Sequence, residues 1–245
     1  MEPVISVENV SMMFNLSRDK IMGLKEYVVK ALKRELHYDE FWALRNISFE
    51  VQKSEIMGIL GFNGAGKSTL LKLIAGVFSP TKGKVTVRGD IVPLLELGTG
   101  FDPEFSAKDN VYMNGAMFGH SPSYMEGIYK EIMDFAELWD FEDVPMKNFS
   151  SGMMARLGFA VATNVEPDIL ILDEILGVGD YLFAKKSKTR IEELLSGGIT
   201  VLLVSHSIDS IKEMCTRAML LQGGQMVCIG EVEEVCEVYH QEKQT

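Results

Sequence analysis

Short apolar runs recur along the chain, at residues 4–10, 47–51, 56–60, 85–87, 168–172, 199–204 and 218–221. Several are continuous rather than alternating, the pattern of strands covered on both faces. Such strands predict a mostly parallel central sheet with helices packed around it, an α/β fold. Gly223-Gly224, between the apolar stretches 219–222 and 226–229, predicts a hairpin turn. Residues 231–240 space Val232, Val235, Cys236 and Tyr239 as one face of a terminal amphipathic helix. Between residues 102 and 165 the strand signal fades into helical spacing. There, residues 123–141 carry a stripe of Ile128, Ile132, Phe135, Ala136 and Trp139.

Composition narrows the class. At 245 residues, 47% hydrophobic and 24% charged, the chain can bury a large core. A formal charge of −11 argues against a protein that grips a nucleic-acid backbone, which needs a broad basic footprint. The cysteines, Cys215, Cys228 and Cys236, lack metal-site or disulfide spacing and read as reduced thiols. The amino terminus shows no basic region followed by an apolar stretch, so no signal peptide is expected. No apolar run approaches the roughly 20 residues of a membrane-spanning helix. A cytoplasmic location is expected, with any membrane crossing left to another chain.

The chemistry centres on Gly61-Phe62-Asn63-Gly64-Ala65-Gly66-Lys67-Ser68-Thr69, which follows the apolar strand 56–60 and precedes the apolar helix 70–75. Glycines let consecutive backbone N–H groups converge on a phosphate, and the helix starting near Lys67 adds the positive end of its dipole. Lys67 would neutralise the β- and γ-phosphates of ATP, and the Ser68 hydroxyl is a hard ligand for Mg²⁺. The bland alternative is a glycine-rich turn with no ligand. A second feature is the buried strand ending in Asp173-Glu174. Asp173 would hold Mg²⁺ and Glu174 would orient or deprotonate the attacking water, against the alternative of two carboxylates at a surface.

Phe149-Ser150-Ser151-Gly152-Met153, shortly before Asp173, resembles the signature sequence of ATP-binding cassette (ABC) proteins. His206, just after strand 199–204, matches that superfamily's switch histidine. The resemblance covers essentially the whole chain. It implies an ABC-type P-loop NTPase with an antiparallel N-terminal β-subdomain and an inserted helical subdomain. It also implies that Ser150, Ser151 and Gly152 face the γ-phosphate held by a second copy, and that His206 hydrogen-bonds that phosphate. ATP would then join two cassettes, and hydrolysis would let them part.

Departures from the general pattern point to a branch. Residues 91–103 contain no glutamine, and Glu96 is the nearest polar substitute; Ile175 follows Glu174 where proline is usual; Gly177-Val178-Gly179-Asp180 replaces the common Ser-Ala-Leu-Asp. Together with 94–101 and 150–153 these are similar to the ATPase subunits that export O-antigen, capsule and teichoic acid. An insertion at 17–36 places Ile21, Leu24, Val28, Ala31 and Leu32 on one helical face and carries a net charge of +3. It suits a membrane face or the entry of an anionic lipid-linked glycan, or else packs on the sheet with solvated lysines.

The expected organisation is one ABC domain over 1–245. It has a sheet lobe (1–101 and 166–230), a gate-like helix (17–36), a helical lobe (102–165), a C-terminal helix and tail (231–245), and no appended carbohydrate-binding domain. Expected partners are a second cassette, a polytopic permease dimer and a lipid-linked polysaccharide, with no nucleic acid and a peripheral place on the inner membrane face. Rival readings are a soluble cassette acting on nucleic acid or the ribosome, and the cassette of another transporter type. Phe14, Phe41 and Trp42 are all candidates to stack on adenine.

Overall fold

The computed structural model describes residues 2–17, 38–94, 98, 100–173, 181–205 and 207–243. The insertion at 18–36, Glu96, Glu174, Gly177 to Asp180 and His206 lie outside the described residues.

Strands β1 (Ile5–Ser17), β2 (Tyr38–Val51) and β4 (Lys82–Val87) form an antiparallel sheet in the order β2-β1-β4. A second sheet contains β3 (Ile56–Leu60), β5 (Ile91–Leu94), β6 (Ile169–Asp173), β7 (Thr200–Val204), β8 (Arg217–Gln222) and β9 (Gln225–Gly230), in the order β5-β6-β7-β3-β8-β9. All its neighbours are parallel except the β8–β9 hairpin. Helices follow as α1 (Lys67–Ile74), α2 (Ala107–Met117), α3 (Pro122–Ala136), α4 (Ser151–Asn164), α5 (Tyr181–Ser196), α6 (Ile208–Met214) and α7 (Val232–Glu242).

Alternation along the parallel strands divides the core in two. Met57, Ile59, Ile171, Leu202, Val204, Met219 and Leu221 join Leu70, Leu71 and Ile74 of α1 and the apolar face of the antiparallel sheet. Leu60, Leu170, Leu172, Val201, Leu203 and Leu220 join α2 to α7 on the other face. Both faces are covered, which is why these strands read as unbroken apolar runs.

The helix expected over 123–141 stops at Ala136. Glu137 turns left-handed (φ 59°, ψ 45°), and Lys186 donates to the Phe135 carbonyl at 2.9 Å, satisfying a helix end that would otherwise be bare. Trp139 falls in a separate 3₁₀ turn, Trp139–Phe141. Strand β5 and helices α5 and α6 were not expected from the periodicity.

Candidate functional site

Strand β3 lies between β7 and β8 and runs directly into Gly61. The loop that follows is moulded by distant parts of the chain. A Cβ on Gly61 would stand 2.4 Å from the Leu221 carbonyl oxygen, and one on Gly66 2.8 Å from that of Ala43. Gly66 is also left-handed, at φ 103° and ψ 4°, so only glycine fits without strain. The Ala65 N–H donates to the Phe62 carbonyl at 3.1 Å, and the Gly224 N–H donates to the Ala65 carbonyl at 3.0 Å. Strands β2 and β8 and the β8–β9 turn thus hold one loop between them.

Helix α1 starts from that loop with no side-chain cap and no acidic residue in its first turn. First-turn amides have no intrahelical acceptor, so an unneutralised positive end faces outward. Ser68 is exposed there and Thr69 is half-buried. Lys67 is buried, and its Nζ donates to the carbonyls of Gly61 at 2.6 Å and Phe62 at 3.1 Å. The ammonium therefore stands across the loop. Amides, dipole and ammonium together suit a polyphosphate.

Asp173 ends β6 and pairs in register with Val204 of β7, which pairs with Ile59 of β3. Asp173 and Gly61 therefore leave the same carboxyl edge of the sheet, about 10 Å apart by two strand spacings. In open parallel sheets this edge is where ligands bind. Ser205, directly after β7, lies between them, and its buried Oγ accepts the Ser207 N–H at 3.0 Å. Nothing is described of the Asp173 side chain, and Glu174 and His206 lie outside the described residues.

Ser150 and Gly152 begin α4, which packs on α2, α3, α5 and β5. The Ser150 Oγ accepts the Met153 N–H at 3.2 Å as the cap of its own helix. Ser150 and Ser151 are exposed, and a Cβ on Gly152 would meet nothing nearer than the Ser150 Oγ at 3.9 Å.

The three aromatic candidates are not equivalent. Phe14 packs edge-on against Phe78. The Trp42 ring is covered by Lys82, and its Nε1 donates to Glu40 at 3.3 Å. Phe41 is 50% exposed and pairs across the sheet with Phe14, the second pair past the bulge that follows Met12 and Leu44. Alternation along β1 puts Phe14 and Met12, with their partners Phe41 and Leu44, on one face, and Leu44 lies against Gly66.

Sequence reasoning missed Ala43, Leu221 and Gly224 as supports of the loop. Gly223-Gly224 was legible as a hairpin, but no local pattern shows which distant loop a turn will touch. Cys215, Cys228 and Cys236 are free. Burial, with Cys236 nearby, pushes the Cys215 thiol up to about 12, so it stays protonated and unreactive.

Residues 44–177 match the family model described as ABC transporter. The chain is 46% identical to ABC transporter protein AbcA of Aeromonas salmonicida, over 98% of this chain and 76% of that one. It is 41% identical to O-antigen export system ATP-binding protein RfbB of Klebsiella pneumoniae, over 98% of this chain and 99% of the relative. Among solved structures, an ATP-binding cassette captured as a dimer in a post-hydrolysis state with ADP and Pi superposes with a TM-score of 0.70. That match is 21% identical over 93% of this chain and 98% of the other.

Proposed function

The chain belongs to the ABC transporter family, and from that premise we propose that it is the ATP-hydrolysing subunit of an exporter for a lipid-linked polysaccharide. O-antigen, capsule and teichoic acid are the substrate class. The near end-to-end likeness to an O-antigen export system ATP-binding protein supports this reading. The observation that carries the ATPase assignment is the buried Lys67 ammonium held across a glycine loop at the uncapped start of α1.

In this reading the amides of 61–69 and Lys67 bind the β- and γ-phosphates, and Phe41 stacks on the adenine. The exposed Ser68 hydroxyl and the position of Asp173 at the same sheet edge fit Mg²⁺. Among the described residues no cluster of His, Cys, Asp or Glu would hold a metal without the nucleotide's oxygens. When bound, Mg²⁺ polarises the phosphoryl group and neutralises its charge. Glu174, the residue after β6, takes the proton of the attacking water, and His206 hydrogen-bonds the γ-phosphate.

Ser150, Ser151 and Gly152 serve the site of a second copy, so the active form is a homodimer beneath a membrane permease. Among the described residues no helix is long and apolar enough to cross a membrane. We place the subunit peripherally on the inner face of the membrane.

Replacing Glu174 with Gln tests the assignment. It is expected to leave MgATP binding intact, lower turnover by about 100-fold or more, and trap an ATP-dependent dimer visible by size exclusion. Turnover at the wild-type rate would remove Glu174 from the reaction.

A further inference from the structure

The loop tip has little packing of its own: Asn63 and Gly64 are exposed, and a Cβ on Gly64 would meet nothing within 4 Å. Phe62 is the exception. Its ring lies 5.1 Å, centroid to centroid, from that of Tyr239 on α7, tilted by 36°. Tyr239 is only 3% exposed. The backbone carbonyl of this same Phe62 is one of the two that receive the Lys67 ammonium.

Helix α7 is itself fixed. It packs on β8, β9 and α6. Glu233 pairs with Lys212 near its start, and Gln222 donates to Glu242 at 3.0 Å near its end. Gln222 follows Leu221, whose carbonyl confines Gly61, and lies two residues before Gly224, whose N–H holds Ala65. The β8–β9 hairpin and α7 therefore grip the loop at Gly61, Phe62 and Ala65 in succession.

We propose that Tyr239 is a positioning residue for nucleotide binding. Through the Phe62 ring it fixes the Phe62 backbone against which the Lys67 ammonium is set, and so keeps the loop in its phosphate-receiving form. An aromatic pair contributes through shape and contact, so the contact with Phe62 needs the ring. The proposal rests on the loop taking the phosphates of ATP.

The test uses the full chain, with MgATP affinity by calorimetry, steady-state KM and kcat, and thermal melting without nucleotide. Tyr239→Ala is expected to raise Kd and KM about three- to tenfold, the order of one aromatic pair, with kcat held within about twofold. Tyr239→Phe keeps the ring against Phe62, so its Kd and KM should lie well below those of Tyr239→Ala. Val235→Ala, a buried change on the same helix, lowers the melting temperature and leaves KM unchanged. Combined with Phe62→Ala, Tyr239→Ala adds nothing further to Kd, because the two rings act as one unit.

An unchanged Kd in Tyr239→Ala, or an equal rise in Val235→Ala, overturns the proposal. Should Tyr239→Ala not fold, Tyr239→Leu keeps the apolar volume, removes the ring and is judged by the same criteria. Failure of the wild-type protein to bind MgATP would sink the ATPase assignment instead.

Discussion

Two helices of this protein begin at sequence motifs, and their first turns are built in opposite ways. At α1 the chain's own atoms dictate the backbone: Leu221 excludes a side chain at Gly61, Ala43 excludes one at Gly66, and no side chain caps the helix. At α4 the helix is closed by its own Ser150, and no atom of the described chain demands glycine at 152. An uncapped N-terminus moulded from within suits an anion. In the proposed function, the exposed, self-capped one faces a second copy of the chain instead. That division is what a composite site requires, with the pocket on one copy and its cover on the next.

The comparison breaks most sharply at Lys67. Lys67→Met keeps most of the apolar stem and removes the ammonium. Turnover should fall by about 10²–10³-fold, the scale of losing one preorganised charge at a transition state. Folding stability should fall by only about 1–3 kcal/mol, because the Gly61 and Phe62 carbonyls lose a donor. A coupled ATPase assay and a denaturant melt report the two separately. Turnover within tenfold of wild type would mean that α1's first turn is not the receptor.

Much of this contrast was legible in the sequence, for physical reasons. The glycine loop could be read because its function is written in consecutive residues, and β3, β6 and β7 because burial on both faces leaves unbroken apolar runs. Strand β5 is four residues long and contains Pro93, which blurs any strand signal. Helix α5 is markedly polar, with Phe183, Ser187 and Ile191 as its buried positions, so its stripe is narrow. The early end of α3 depends on Lys186, about fifty residues away in sequence, reaching a helix carbonyl. The supports of the site were hidden for the same reason: Ala43, Leu221 and Gly224 act through tertiary contact, which periodicity does not encode.

Ser150→Asp sharpens the other side. Aspartate caps a helix as well as serine and sits favourably at its positive end, so stability should hold within about 0.5 kcal/mol. If the Ser150 hydroxyl faces a γ-phosphate on the second copy, a carboxylate there opposes closure. Turnover should then drop about thirtyfold, equivalent to about 2 kcal/mol of like-charge repulsion across a partly screened interface. MgATP affinity of the monomer should not move, since the loop that binds it is untouched. A matching loss of monomer affinity would place Ser150 at its own chain's site.

Gly152→Ala is the mildest change and the most discriminating. The new methyl lies 3.9 Å from the Ser150 Oγ, and beyond its chain neighbours and the helix's own backbone no other atom of the described residues comes within 4 Å. Alanine is also the better helix former, so the isolated subunit should gain about 0.5 kcal/mol in a denaturant melt. A more stable protein should nonetheless turn over about fivefold more slowly, because the methyl intrudes where a second copy's nucleotide approaches the backbone. The opposed signs matter more than their sizes. Simple damage to the fold lowers both quantities, and an unused surface glycine changes neither rate nor dimerisation. A position that meets an external ligand is expected to gain stability and lose activity together, so unchanged turnover in a stabilised Gly152→Ala protein would return α4's N-terminus to the surface and leave the α1 site to stand alone.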